Sequence, residues 1–404
     1  MPIGDHGVEL REYQQQALEK AIKNEKGFMN NETMGKGKTI TTIFTANRLI
    51  KDRGFKSIVI VCPANVKRVW EQNMTHFETD DITIYSYNKI AVNYIQFDCD
   101  VLILDESHRL KNPTSKTAKK LMLSKWKYSF CLTGTPIEKA YIDLWSQIRF
   151  IDSNLLGNYW YFLNKYCVVD QYNRIIGYKQ HMLPELLEKL KQYMFISNID
   201  EVKEYNVKRV NIDYQLSDQN KQLIDTLLTS MELLDPEYIF ITTAATKQKI
   251  VQHIASGRYF ENTDMIIKLN NIVNKHKNVI MLYNFNCERD ILKKHFKNSY
   301  EYSSEVKQFE EYLINGGILI AQISSIGEGT DGLQNISSCI VFTSLNWSYR
   351  LNIQAQKRID RIGQTEDCTI YYLINDTEID LLVIKALEQK KSLSVKTLKQ
   401  IEES

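Results

Sequence analysis

The sequence predicts an α/β protein of two lobes, each a mainly parallel sheet flanked by helices. Three observations carry that prediction. Short apolar runs rich in β-branched residues alternate with helix-like segments, the pattern of buried parallel strands joined by crossover helices. A helix-like, charged stretch from about Pro184 to Asp235 separates a first series of such runs from a second. Motifs suited to a nucleotide follow directly on the strand-like runs, where open parallel sheets place their ligands.

In chain order, a helix begins at Lys38, directly after a glycine loop. Ser57–Cys62 is a strand closed by Pro63, Asp100–Leu104 one closed by Asp105, and Ser129–Thr133 a third. The second series comprises Asn278–Tyr283, Gly317–Ala321, Cys339–Thr343 and Thr369–Ile374. Glu378 to about Leu398 reads as a terminal helix, with Ser392-Leu393-Ser394 a candidate break. The lobes are expected to divide near residue 205, as 1–205 and 206–404.

Bulk properties narrow the class. With 404 residues, 43% hydrophobic and 25% charged, the chain can bury two or three cores. Its formal net charge of +2 makes it no polycation, so nucleic-acid binding would need locally clustered cations. The seven cysteines form no CxxC pair, which suits reduced thiols better than disulfides or zinc. The start of the chain shows no basic-then-apolar leader pattern, and no apolar run approaches the ~20 residues of a membrane span. The expected location is the cytoplasm of a bacterial or phage-infected cell, with a nucleus as the second option.

Four motifs stand in one order. In Met34-Gly35-Lys36-Gly37-Lys38-Thr39, Gly35 and Gly37 let the backbone approach phosphate oxygens. The following helix turns its N-terminus to the anion. Lys38 would reach the β- and γ-phosphates, and Thr39 would bind Mg²⁺. Taken alone, this motif leaves open a plain glycine turn at a helix start. Asp105-Glu106 then supplies a carboxylate for Mg²⁺ and a second to orient and deprotonate the attacking water. His108 follows, as a link from the γ-phosphate site or as a structural histidine. Leu132-Thr133-Gly134-Thr135-Pro136 is the third motif, and Gln354 to Gln364 the fourth. In the last, Arg358 and Arg361 lie three apart on an expected helical face, where guanidinium groups would stabilise a transferring phosphoryl group. Together the motifs describe an ATP site built in two halves, in the cleft between the lobes.

These residues resemble the superfamily 2 helicase-like ATPases, and within them the Swi/Snf-type branch of DNA translocases. Leu10-Arg11-Glu12-Tyr13-Gln14 resembles that branch's opening motif, Val61-Cys62-Pro63-Ala64 with Trp70 its motif Ia, and Asp105 to Asn112 its second motif. Leu132 to Pro136 with Leu144-Trp145 resembles the third, Gly327-Glu328-Gly329 the fifth, and Gln354 to Gln364 the sixth. The similarity spans about residues 9 to 390. It implies RecA-like lobes, with ATP and Mg²⁺ between them and DNA across their shared face. It implies an adenine contact for Gln14, nucleotide contacts for the phosphate loop and Gly329, and a catalytic place for Gln354. Pro63, Arg109, Lys111, Gly329 and Trp347 become DNA-side candidates, and Thr133 and Thr135 would couple nucleotide state to DNA grip. For Trp347 a packing role has equal standing.

Several departures from the branch pattern stand out. Lys36 replaces an apolar residue in the phosphate loop, Lys357 and Asp360 replace the usual Gly and His, and Ile196-Ser197-Asn198 stands where paired arginines are usual. The leading expectation is an ATP-dependent motor on duplex or branched DNA, with replication or recombination proteins as expected partners. An RNA or single-strand helicase, and a nucleic-acid-binding switch with little turnover, are the alternatives.

Overall fold

The computed structural model describes residues 9–32, 35–137, 141–196, 207–230, 244–327, 330–361 and 363–403. Of the sequence candidates, Met34, Ser197, Asn198 and Gly329 lie outside the described residues, as does the end of the charged middle stretch. The chain divides into two compact units, Met1–Val202 with Lys390–Ser404, and Lys203–Gln389. The segment from Lys390 on, expected in the second lobe, groups with the first unit.

The first unit holds β1 (Gly27–Asn30), β2 (Ser57–Cys62), β3 (Asp81–Ser86), β4 (Asp98–Asp105) and β5 (Lys125–Leu132). A separate antiparallel hairpin, β6 (Cys167–Val169) and β7 (Ile175–Tyr178), precedes the short β8 (Met194–Phe195). The main sheet runs β3-β2-β4-β5-β1-β8 and is parallel throughout. Successive side chains on its strands enter opposite cores. Val59, Val61, Leu102 and Leu104 pack on one face; Ile58, Ile60, Val101 and Ile103 pack on the other with Phe28 and Phe130. Burial on both faces explains why these runs are continuously apolar.

The second unit holds β9 (Val207–Tyr214), β10 (Val279–Tyr283), β11 (Ser299–Tyr302), β12 (Ile318–Gln322), β13 (Cys339–Phe342) and β14 (Cys368–Asn375). Their order is β11-β12-β10-β13-β14-β9, again all parallel. The seven strands expected from the sequence are all present, six within about two residues and β5 beginning four residues earlier, at Lys125.

Two expectations are corrected. The middle stretch is not helical throughout: β9 lies within it and pairs along its whole length with β14. It is an edge strand carrying Lys208, Arg209 and Asp213, and charge on an edge guards it against pairing with another chain. The terminal helix runs unbroken from Glu378 to Glu403. Serine in a helix interior costs only about 0.5 kcal/mol relative to alanine, too little for two of them to end the backbone ladder.

Candidate functional site

The phosphate loop leaves β1 at Asn30 and enters the helix α2 (Lys38–Arg53). Gly35 and Gly37 both take positive φ, 82° and 77°. A Cβ at Gly37 would stand 2.6 Å from Gln14 Nε2, so this glycine is required by torsion and by close approach. Gln14 projects from α1 (Glu12–Lys23). Its Nε2 donates to Lys36 O at 3.1 Å, and its Oε1 accepts from Arg11 N at 2.9 Å. Tyr13 Oη also donates to Lys36 O, at 3.1 Å. The opening motif therefore braces the phosphate loop through one carbonyl.

That contact accounts for the lysine departure. The Lys36 ammonium lies 5.3 Å from the Tyr13 ring centroid, a cation–π distance, so the ring takes the place of an apolar neighbour. Lys38 Nζ donates to Glu32 O at 2.9 Å. The N-terminus of α2 has no side-chain cap and no acidic residue in its first turn, leaving it suited to an anion.

Asp105 ends β4 and is held on three sides. Trp70 Nε1 donates to its Oδ2 at 2.9 Å, Glu106 N to its Oδ1 at 3.0 Å, and Tyr87 Oη to its carbonyl at 2.8 Å. Removal from water, then the neighbouring Glu106, push its carboxyl up to about 6, against the pull of the Trp70 bond and Lys38. Glu106 has φ 53°, a left-handed torsion uncommon for a residue other than glycine and characteristic of functional turns.

From Glu106 a contact chain leads to the third motif. His108, buried, places Nδ1 3.1 Å from Glu106 Oε2 and 3.1 Å from Thr133 Oγ1. Thr133 Oγ1 accepts from Thr135 N at 3.1 Å. The second and third motifs are thus joined inside one unit, through the histidine singled out in the sequence. Pro63 follows β2; Arg109, exposed, lies in the short turn Ser107–Leu110 after Asp105, and Lys111 follows it.

Three residues in this region escape sequence reasoning. Trp70 is matched only as part of a motif, not as the donor to Asp105. Gln147, fully buried, accepts from Ser107 Oγ at 2.8 Å and donates to Pro136 O at 2.9 Å, tying the loops after β4 and β5 together. Its closeness to Leu144-Trp145 was the one available signal. Glu32, 1% exposed, is pushed up to about 7 by burial, against Lys38 and Lys36. The Glu32 carboxylate has only the side chain of Asn30 beside it, and the side-chain amide of Asn31 has no hydrogen-bond partner. Orphaned buried polar atoms are rare and ask for a ligand or water. Together with Lys38, the α2 N-terminus and Asp105, they suit a polyphosphate with its hydrated divalent cation.

In the second unit, the helix Tyr349–Gln356 stops before Lys357. Arg358 and Arg361 therefore do not share a helical face as expected; they stand in the turns beyond it, which end near Gly363 at φ 100°. Arg358 donates to Thr330 O at 2.8 Å and Gly327 O at 2.6 Å, so it clamps the backbone of the fifth motif. Arg361 Nη1 lies 3.0 Å from Asp331 Oδ1, a carboxylate whose side chain is 72% exposed. Lys357 Nζ meets Asp360 Oδ2 at 2.6 Å. The two departures in this motif compensate each other, and the acid is not spent on either arginine. Gln354, buried, accepts from Arg350 at 3.1 Å, and a Cβ on Gly327 would come within 3.0 Å of its Oε1. Trp347 donates to Gln252 Oε1 at 3.1 Å and packs on both apolar cores of this unit, the packing role that stood beside the DNA-side one.

No described helix is long and apolar enough to cross a membrane. The family model described as the SNF2-related domain matches residues 75–277, half of the chain. That for the Type III restriction enzyme, res subunit, matches residues 7–88. An uncharacterized ATP-dependent helicase of Mycoplasma genitalium is 24% identical over 96% of this chain and 42% of its own length. The SWI/SNF-related matrix-associated actin-dependent regulator of chromatin subfamily A-like protein 1 of Drosophila melanogaster is 23% identical over 95% of this chain and 55% of its own. The chain spans about half the length of the curated relatives it matches. Among solved structures, the Sulfolobus solfataricus SWI2/SNF2 ATPase core in complex with dsDNA aligns at 20% identity with a TM-score of 0.44, covering 98% of this chain and 95% of that one. With the motif set in place on two parallel sheets, the chain belongs to the SNF2-related family, the Swi/Snf type of superfamily 2 helicase-like ATPase.

Proposed function

We propose that this chain is a DNA-dependent ATPase that couples ATP hydrolysis to movement along duplex or branched DNA. The observation that carries the reading is the ordered motif set, with the Asp105-Glu106 pair braced to the third motif through His108. Family membership supports it, and so do relatives named as ATP-dependent helicases.

In this reading Lys38 exchanges the Glu32 carbonyl for phosphate oxygens, and the N–H groups of the α2 N-terminus share the anion. Thr39 and Asp105 would hold Mg²⁺, which supplies charge neutralisation and alignment of the phosphates. Glu106 orients the attacking water and takes its proton. His108 senses the state of Glu106 and passes it to Thr133 and Thr135. Arg361 is the better finger candidate, because an exposed carboxylate gives it up more readily than two backbone carbonyls give up Arg358.

The test is steady-state ATP hydrolysis without nucleic acid and with duplex, forked and single-stranded DNA and RNA, with Glu106→Gln as control. Stimulation by duplex or forked DNA that vanishes in the variant supports the motor. Turnover indifferent to every polymer overturns it, and stimulation by RNA alone reassigns the track.

A further inference from the structure

Between the helix that follows the third motif and β8, the first unit carries a module with no role in the nucleotide site. It consists of the helix Tyr159–Tyr166 and the β6–β7 hairpin. Its surface is aromatic. Trp160 is 59% exposed, Tyr161 47%, and Tyr172, at the hairpin tip, 69%. Between Tyr159 and Met182 stand three cations, Lys165, Arg174 and Lys179, and one carboxylate, Asp170.

The tip is rigidly built. Asp170 Oδ1 accepts from the backbone N–H groups of Tyr172 and Arg174, both at 2.9 Å, and its Oδ2 from Arg174 Nε at 2.6 Å. Asn173 takes the left-handed torsion the turn needs, φ 59°. The Arg174 guanidinium lies 5.2 Å from the Tyr172 ring centroid. A large aromatic is therefore held out in water with a guanidinium stacked on it, on a turn that gives it little freedom to fold back. Folding alone gains nothing from that exposure. The hairpin is also no loose appendage. Tyr178, in β7, accepts from Ile142 N at 3.1 Å and meets the Tyr141 ring edge-on at 5.0 Å. Ile142 starts the helix that carries Gln147, the residue bridging the loops after β4 and β5.

We infer that the hairpin tip is a stacking site for unpaired bases of a DNA strand, with Tyr172 as the platform and Arg174 and Lys179 drawing the phosphate backbone, while Lys165 stays paired with Glu185 at 2.6 Å. Aromatic platforms beside cations are how proteins hold single strands without reading sequence. The occupant is DNA with unpaired bases, and the preferred track is a junction, not a blunt duplex. The inference rests on the DNA reading above and narrows its substrate. The link through Tyr178 and Gln147 gives an occupied tip a physical route to the Asp105-Glu106 turn.

The experiment compares equilibrium binding of a fork bearing 2-aminopurine in its unpaired arm with that of a blunt duplex of equal length. The proteins are wild type, Tyr172→Ala, Trp160→Ala and Tyr172→Phe. Loss of one base–aromatic stack corresponds to roughly 5- to 150-fold in affinity. Tyr172→Ala is expected to lose about tenfold on the fork and to abolish the 2-aminopurine signal change, with the duplex affinity much less affected. Tyr172→Phe is expected to retain the fork preference. The thermal unfolding midpoint checks that each variant is folded. Fork and duplex affinities that fall together, or a fork affinity unmoved by Tyr172→Ala, overturn the inference while leaving the motor reading intact. Wild-type protein that binds neither DNA overturns the motor reading, and this one with it. A fork preference lost in Trp160→Ala but not Tyr172→Ala moves the platform off the hairpin and refutes the assignment.

Discussion

Trp70→Phe isolates one hydrogen bond to Asp105, the carboxylate proposed to hold Mg²⁺. The indole is fully buried, and phenylalanine keeps most of its packing while removing the Nε1–H that meets Asp105 Oδ2 at 2.9 Å. That bond favours the ionised carboxylate, so its loss raises the carboxyl further. A hydrogen bond to a charged group is worth about 1.5–3 kcal/mol, and about 1.4 kcal/mol moves a titration midpoint by one pH unit. Asp105, already raised by burial and by Glu106, would then titrate on the order of one to two pH units higher still. Mg²⁺ needs the ionised form, whose share near neutral pH would fall accordingly. The assay is kcat/KM for Mg·ATP from pH 5.5 to 9, because that ratio reports the free enzyme. The acid limb should move upward by one to two pH units and the plateau near pH 9 should stay. An acid limb that does not move, in a variant that unfolds at nearly the wild-type temperature, would refute the account of Asp105. The same linkage has a stability side. A carboxyl raised from 3.8 to about 6 binds its proton more tightly folded than unfolded, so the stability it contributes in acid is lost as pH rises from about 4 to 6. Asp105→Asn should accordingly raise the unfolding temperature at pH 7 while abolishing turnover.

Other substitutions test other contacts. Gly37→Ala imposes a left-handed alanine, about 1–2 kcal/mol, and drives a Cβ into Gln14 Nε2. Nucleotide affinity should fall, and the loss should shrink in a Gln14→Ala background; equal losses in both backgrounds would remove the brace. Lys357→Ala strands the buried Asp360 and should destabilise the second unit by about 3–5 kcal/mol. Denaturant unfolding with Lys357→Ala/Asp360→Asn as the rescue decides this, and a rescue that fails would show the pair is not the cause. Arg361→Ala should leave ATP binding nearly intact and cost about 10³-fold in turnover, whereas Arg358→Ala should lower the unfolding temperature by freeing the Gly327 and Thr330 carbonyls. The reverse pattern would exchange the two roles. Gln147→Leu should keep ATP binding and weaken DNA stimulation of turnover; unchanged stimulation would remove the bridge between the two loops.

What could be read from the sequence follows from how each feature is encoded. Strands β2, β4 and β10 are buried on both faces, so burial writes itself as an unbroken apolar run. Strand β9 is held by backbone pairing with β14 and exposes charge, and its one signal, the alternation Val210-Asn211-Ile212-Asp213-Tyr214, is short and set within a charged stretch. The same division runs through the site. Gly35, Gly37, Lys38 and Asp105 are local in sequence because phosphate and metal contacts need a fixed spacing on one loop or strand end. The hydrogen bond from Trp70 to Asp105 and the bridge from Ser107 through Gln147 to Pro136 join residues tens of positions apart, and no spacing announces them. Lys36, Lys357 and Asp360 look like defects against a family pattern because each was read alone. In the fold, Lys36 lies over Tyr13 and Lys357 meets Asp360, so each charge arrives with its partner. A departure that carries its own compensation weakens the case for a disabled motor, since the phosphate loop and the sixth motif keep their packing. The arginine then left to decide the matter is Arg361, held by a carboxylate at the surface of its own unit.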